Sequence, residues 1–162
     1  MTVPSASPLF LREPEIRRGI ELLYFGYTNF TATADATLDS QGLGRAHHRA
    51  LYFIARRPEM PVGDLLKLLR ITKQSLGRVL GDLSDRGYIE TLPGLRDRRQ
   101  RLLRLTPSGL ALETALFEAI RTKMAEAYSE AGQGSVTGFW RVLEGLIPEE
   151  QRARIPNLED GK

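Results

Sequence analysis

From Glu15 to about Thr37 the apolar residues Ile16, Ile20, Leu23, Tyr24, Tyr27 and Phe30 recur every three or four positions. That spacing predicts a long helix with one apolar face, interrupted by Asp39-Ser40-Gln41-Gly42. A second helix is expected from about Arg45 to Arg57, with Leu51, Phe53, Ile54 and Ala55 on its apolar side. Pro58 ends it, because proline disfavours a helical residue before it. Pro61 opens a short helix, Val62 to Leu69, in which Leu65, Leu66, Leu68 and Leu69 are candidate core. After Arg70-Ile71 the Thr72 hydroxyl is suited to cap a helix from Lys73 to Arg86, and Gly87 stands where a left-handed C-terminal residue belongs. The period then becomes alternating: Tyr88 to Leu92 and Arg101 to Leu105 read as strands joined by a turn over Pro93 to Gln100. Thr106 as cap and Pro107 at the first helical position start a helix to about Glu130 with Leu112, Leu116, Ile120 and Met124 in one stripe. Gly132-Gln133-Gly134 is expected to end it, and Ser135 to cap a last helix bearing Phe139, Trp140, Val142, Leu143 and Leu146 before Pro148.

Composition narrows the class. At 162 residues, 41% hydrophobic and 27% charged, the chain has the balance of one ordinary globular domain. No apolar run approaches the roughly 20 residues that span a bilayer, so no membrane association is expected. Met1 to Phe10 holds Pro4, Ser5, Ser7 and Pro8 but no basic segment leading into an apolar one, unlike a secretory signal. The expectation is a cytoplasmic chain with a flexible tail over 1–14, a single domain over 15–147 and a second tail over 148–162. Cysteine is absent, which excludes disulfides, Cys-ligated metals, thiol nucleophiles and thiol redox sensing. A Gly-rich phosphate loop, a His-Glu-x-x-His and a Gly-x-Ser-x-Gly are all missing, so an enzyme is not expected, nor a cofactor.

Charge distribution adds a direction. Of the 23 basic residues all but Lys67, Lys73, Lys123 and Lys162 are arginine, although the net charge is only +3. Arg86, Arg96, Arg98, Arg99, Arg101 and Arg104 crowd around the two strands, while Glu149, Glu150, Glu159 and Asp160 lie near the end. Two short helices joined by a tight turn and followed by a basic hairpin make a winged helix-turn-helix. A helix fits the major groove of DNA, and a hairpin tip is thin enough for the minor groove, whose negative potential draws arginine. With Leu76, Val79, Leu80 and Leu83 turned inward, the outward positions of Lys73–Arg86 include Lys73, Gln74, Ser75, Gly77, Arg78 and Asp82. Gln74, Ser75 and Arg78 are candidates for base edges, and Thr72 and Lys73, at the helix start, for phosphate. At the hairpin tip Arg96, Arg98 and Arg99 repel one another unless an anion compensates. Gly77 and Gly81 each cost about 0.8–1.0 kcal/mol relative to alanine in a helix. Close packing on a neighbouring helix is the favoured reason, with close approach to DNA as the alternative.

On these residues the chain resembles the MarR family of transcriptional regulators. The matching stretches are Leu43-Gly-Arg-Ala-His-His-Arg-Ala-Leu51, Ile71-Thr-Lys-Gln-Ser-Leu-Gly-Arg-Val-Leu80 with Asp82-Leu83 and Gly87-Tyr88-Ile89, then Asp97-Arg98-Arg99 and Leu105-Thr106-Pro107-Ser108-Gly109. The resemblance implies a mainly α fold with a small β-hairpin wing, a DNA-binding lobe over about 45–105, and dimerisation helices over about 15–37 and 107–147. It also implies that Arg99 enters the minor groove and that Asp97 holds it. Where such wings often carry Asp-Pro before this motif, this chain has Gly94-Leu95.

The resemblance further implies a two-fold homodimer, which the surplus of apolar stripes at both ends of the chain independently suggests. A packed helical bundle within one chain is the competing expectation. It also implies release from DNA by a small anionic or phenolic ligand, for which Tyr24, Tyr27, His47, His48 and Arg49 are candidate contacts. His47 and His48 are adjacent on a helix and point about 100° apart, so they do not chelate one metal together. One is expected to be a core or capping residue and the other exposed. The rival to a DNA regulator is a winged helix used only for protein contact, which would have no need of arginines on both helix and wing.

Overall fold

The computed structural model describes residues 8–153. A 3₁₀ turn, Pro8–Leu11, leads into α1 (Glu13–Ala32), followed by α2 (Asp35–Ser40), α3 (Arg45–Arg56), β1 (Met60–Pro61), α4 (Val62–Leu69), α5 (Lys73–Asp85), β2 (Ile89–Pro93), β3 (Arg101–Leu105), α6 (Pro107–Ala131), α7 (Gln133–Leu146) and α8 (Glu149–Arg152). The strands form one antiparallel sheet in the order β1-β3-β2, with Ile89 opposite Leu105, Thr91 opposite Leu103 and Met60 also beside Leu103. The architecture is a mainly helical winged helix-turn-helix, as the alternation of periods predicts. No described helix is long and apolar enough to cross a membrane.

The core lies between α2, α3, α4, α5, the sheet and the first half of α6. Leu38, Leu51, Ile54, Leu65, Leu76, Leu83, Leu103 and Leu116 are all fully buried there, each contributing about 1.5–3 kcal/mol through removal from water. α5 buries Leu76, Val79, Leu80 and Leu83 as its period requires, whereas α1 and α7 bury no residue at all.

Several boundaries differ from the pattern-based reading. The long first helix breaks at Thr33-Ala34, giving α1 and α2. Thr31 and Thr33 turn their hydroxyls back to the carbonyls of Tyr27 and Phe30 at 2.9 and 2.7 Å, a local competition that weakens helix continuation, and the bend carries Ala34 and Leu38 into the core. Short helical pieces also lie within the expected tail segments among the described residues. Pro8–Leu11 is a 3₁₀ turn, α1 starts at Glu13, and Glu149–Arg152 forms a helical turn after Pro148. The rest of both tails, 1–7 and 154–162, lies outside the described residues. Ser135 is not a cap: α7 already begins at Gln133, and Gly132 alone separates it from α6, using a left-handed φ of 79° that L side chains rarely adopt. β1 has no periodicity to betray it because it is only two residues long. It forms where the Glu59 N–H donates to the Leu103 carbonyl at 2.9 Å.

Candidate nucleic-acid interface and adjoining cavity

The α4–α5 turn sets the angle of the candidate reading helix. Arg70 takes a left-handed φ of 53°, a conformation that costs a non-glycine residue roughly 1–2 kcal/mol, and α5 starts three residues later. Thr72 is its N-cap: Oγ1 accepts the Ser75 N–H at 3.1 Å and donates to Ser75 Oγ at 2.8 Å. Thr72, Lys73, Gln74, Ser75 and Arg78 are all exposed on one side of α5, opposite its four buried residues. A Cβ added at Gly77 or Gly81 would meet nothing within 4 Å. The packing explanation for these glycines is therefore wrong, because their side of α5 is open space.

The six arginines around the strands separate into two groups. Arg86 donates to the carbonyls of Gln41 and Gly42, and Arg104 pairs with Glu90 at 2.7 Å. These two hold the lobe together. Arg96, Arg98, Arg99 and Arg101 are exposed and have no side-chain partner among the described residues, so the unpaired charge is concentrated on the wing.

The wing tip has defined geometry despite its departure from the usual pattern. The Gly94 N–H donates to the Gln100 carbonyl at 2.9 Å, and the Gln100 N–H to the Asp97 carbonyl at 3.0 Å. A Cβ at Gly94 would stand 2.5 Å from the Asp97 carbonyl oxygen, so the turn closes only with glycine there. The neighbouring Leu95 is 97% exposed. Asp97 Oδ1 accepts the backbone N–H of Arg99 at 3.0 Å. The aspartate thus orders the main chain at Arg99 and does not grip its guanidinium.

The Leu-Thr-x-x-Gly stretch joins the wing to α5. Thr106 Oγ1 accepts the Gly109 N–H at 3.1 Å and donates to the Gly87 carbonyl at 2.6 Å, which Ser108 Oγ also reaches at 2.9 Å. A Cβ at Gly109 would lie 1.9 Å from the Tyr88 carbonyl oxygen, so no side chain fits. One motif therefore caps α6, anchors the exit of α5 and sets the direction of β3.

Where α1 meets α3 and α6 lies a cavity of about 650 Å³, within the usual range for small-ligand sites. Tyr27, His48 and Arg49 line it, together with Phe30, Arg45, Tyr52, Phe117, Arg121 and Tyr128, among others. The last six were not legible because they converge from three helices far apart in sequence. Two candidates are elsewhere: Tyr24 is 65% exposed on α1, and His47 caps α3 and contacts Asp82. Neither histidine is free on the surface. The three arginines are not equivalent. Arg45 is bound by both oxygens of Asp35 at 3.1 and 2.9 Å, and Arg121 is bound by Glu118 at 2.6 Å. Arg49 has no ion pair among the described residues. Hydrogen bonding from Arg45 holds the Asp35 carboxyl below the usual range, and that from Arg121 does the same for Glu118. Burial, helped by the nearby Arg49 charge, pushes the His48 pKa down and so favours the neutral imidazole. No cluster of three or more metal-ligating side chains occurs among the described residues.

The comparisons agree with this geometry. A family model described as "MarR family" matches residues 41–100. The chain is 46% identical to the HTH-type transcriptional regulator PetP of Rhodobacter capsulatus across 95% of this chain and 93% of that protein. It is 30% identical to the transcriptional activatory protein BadR of Rhodopseudomonas palustris across 63% of this chain and 56% of the other. Among solved structures, a MarR family regulator from Silicibacter pomeroyi matches with a TM-score of 0.68 at 20% identity, covering 82% of this chain and 88% of that one. A mutant E. coli MarR complexed with operator DNA matches with a TM-score of 0.65 at 22% identity, covering 88% and 100%. On the near full-length likeness at 46% identity and the family match across the winged helix, this chain belongs to the MarR family of transcriptional regulators and is not an enzyme.

Proposed function

We propose that the protein works as a homodimer that binds a pseudo-palindromic operator in double-stranded DNA and leaves it when a small anionic or phenolic molecule enters the cavity. α5 enters the major groove with Gln74, Ser75 and Arg78 at base edges and Thr72 and Lys73 at phosphate. The wing brings Arg96, Arg98 and Arg99 to the minor groove, with Asp97 ordering the main chain at Arg99. The observation that carries this reading is the coincidence of the polar face of α5 with four wing arginines that have no side-chain partner among the described residues, all on one lobe. A module built only for protein contact has no need of both. In the cavity, aromatic walls suit a ring and Arg49, the guanidinium without an ion pair, suits its anionic group.

Dimerisation follows from surface chemistry. Ile16, Ile20, Leu23 and Tyr27 on α1, with Phe139, Trp140, Val142 and Leu146 on α7, are between 39% and 65% exposed in one chain. A patch of that kind calls for a self-complementary partner surface. The two α5 helices would then sit about one DNA turn apart, roughly 10–10.5 bp.

Fluorescence anisotropy with operator fragments selected from the source genome tests the reading. Affinity is expected to fall steeply with salt, and a flat plot of log affinity against log salt would exclude phosphate neutralisation. Arg78→Ala is expected to cost about 1–3 kcal/mol and relax one base position per half-site. Arg99→Ala weakens binding and alters preference mainly in A·T-rich flanks. A panel of hydroxybenzoates releases DNA from the wild type but not from Arg49→Ala.

A further inference from the structure

Asp82 is a misplaced charge on a helix that reads DNA. Its carboxylate repels phosphate, and it follows Arg78 by one turn, the spacing at which two helical side chains are neighbours and pair. Yet the Arg78 guanidinium makes no ion pair among the described residues, and Asp82 Oδ2 lies 2.9 Å from His47 Nε2 on α3 instead. The other ring nitrogen, Nδ1, accepts the Gly44 N–H at 3.0 Å. A nitrogen that accepts carries no proton, so Nε2 is the protonated one and donates to Asp82. The Gly44 bond thereby selects the tautomer able to hold the carboxylate.

We propose that His47 is a positioning residue for operator reading, acting through Asp82: it draws that carboxylate toward α3, away from Arg78 and the DNA phosphates, and leaves Arg78 unpaired for a base edge. The inference rests on α5 being the DNA-reading helix. It assigns His47 a task distinct from the effector contact its sequence position suggests and from capping α3 alone.

Substitutions separate the two hydrogen bonds of the ring. In His47→Asn the amide oxygen takes the place of Nδ1 and keeps the cap, but the side chain is too short to reach Asp82. Operator affinity in the full-length protein is expected to fall about tenfold, the scale of one lost base contact. In His47→Gln the longer amide donates to Asp82 and recovers most of that loss. The double variant His47→Asn/Asp82→Asn removes the competing charge and is expected to bind at least as tightly as wild type. Circular dichroism checks that each variant is folded, and ¹⁵N NMR of the wild-type imidazole is expected to show the proton on Nε2 with Nδ1 bare. A His47→Asn protein that binds like wild type, a double variant as weak as the single one, or a protonated Nδ1 overturns the inference. Wild type that binds no duplex overturns the DNA-reading proposal and this inference with it. Wild-type binding accompanied by any of the former results overturns this inference alone.

Discussion

The winged-helix lobe and the two ends of the chain use similar helices in different ways. α5 and α1 are both amphipathic by sequence, but α5 buries Leu76, Val79, Leu80 and Leu83 within its own chain, whereas α1 buries nothing. α7 also buries nothing, although it carries Phe139, Trp140 and Leu146. The lobe has a core that closes on itself around Leu51, Leu65, Leu83 and Leu103. The ends keep much of their apolar faces exposed, although Tyr128 of α6 meets Phe139 and Trp140 edge-on. An apolar stripe predicts burial, and the location of its partner is a separate matter. For the lobe it is the next helix, and for the ends we propose a second copy of the chain.

A charge on α1 breaks this contrast most severely. Ile20→Glu is expected to cost association about 3–5 kcal/mol, since it leaves an unpaired carboxylate in an apolar interface. Light scattering at micromolar concentration would then fall from twice 18.2 kDa to 18.2 kDa. A wild type already monomeric there would remove the distinction between lobe and ends. In the lobe, Leu83→Ala is expected to lower stability by about 2–5 kcal/mol in urea unfolding, as truncation of a fully buried leucine does. A cost near that of an exposed alanine would mean the lobe core is not self-sufficient. Gly109→Ala comes next, at about 1–3 kcal/mol. Its methyl must displace the Tyr88 carbonyl, so operator affinity should fall together with thermal stability as the wing shifts relative to α5.

The smallest effect concerns the junction of the two regions. Burial lowers the His48 pKa from its ordinary 6.5. Between the depressed folded value and 6.5 the unfolded chain therefore binds more protons than the folded one, and stability falls as pH drops through that window. His48→Gln is expected to flatten the slope there while leaving stability above it little changed in slope. Thermal melts of both proteins across pH 5–8, the range over which histidine switches charge, would detect it. Parallel slopes would show that His48 is not held neutral.

Periodicity along the chain determined the main helices, α1 and α3 to α7, and the two wing strands, β2 and β3, because burial of one face is a local pattern. It also determined the inward face of α5, the caps at Thr72 and Thr106, and the concentration of arginine on the hairpin. These follow from spacing or from a side chain beside the backbone it caps. The tertiary structure decided what depends on convergence. After the break at Thr33-Ala34 it is the core that takes up Ala34 and Leu38, and β1 exists only because β3 lies beside it. The requirement for glycine at 94 and 109 comes from carbonyls placed by other segments. His47 and His48 read alike in sequence, but a turn of about 100° per residue sends one toward Asp82 and the other into the cavity. Sequence order cannot tell them apart, because what surrounds each ring is supplied by helices folded in from elsewhere.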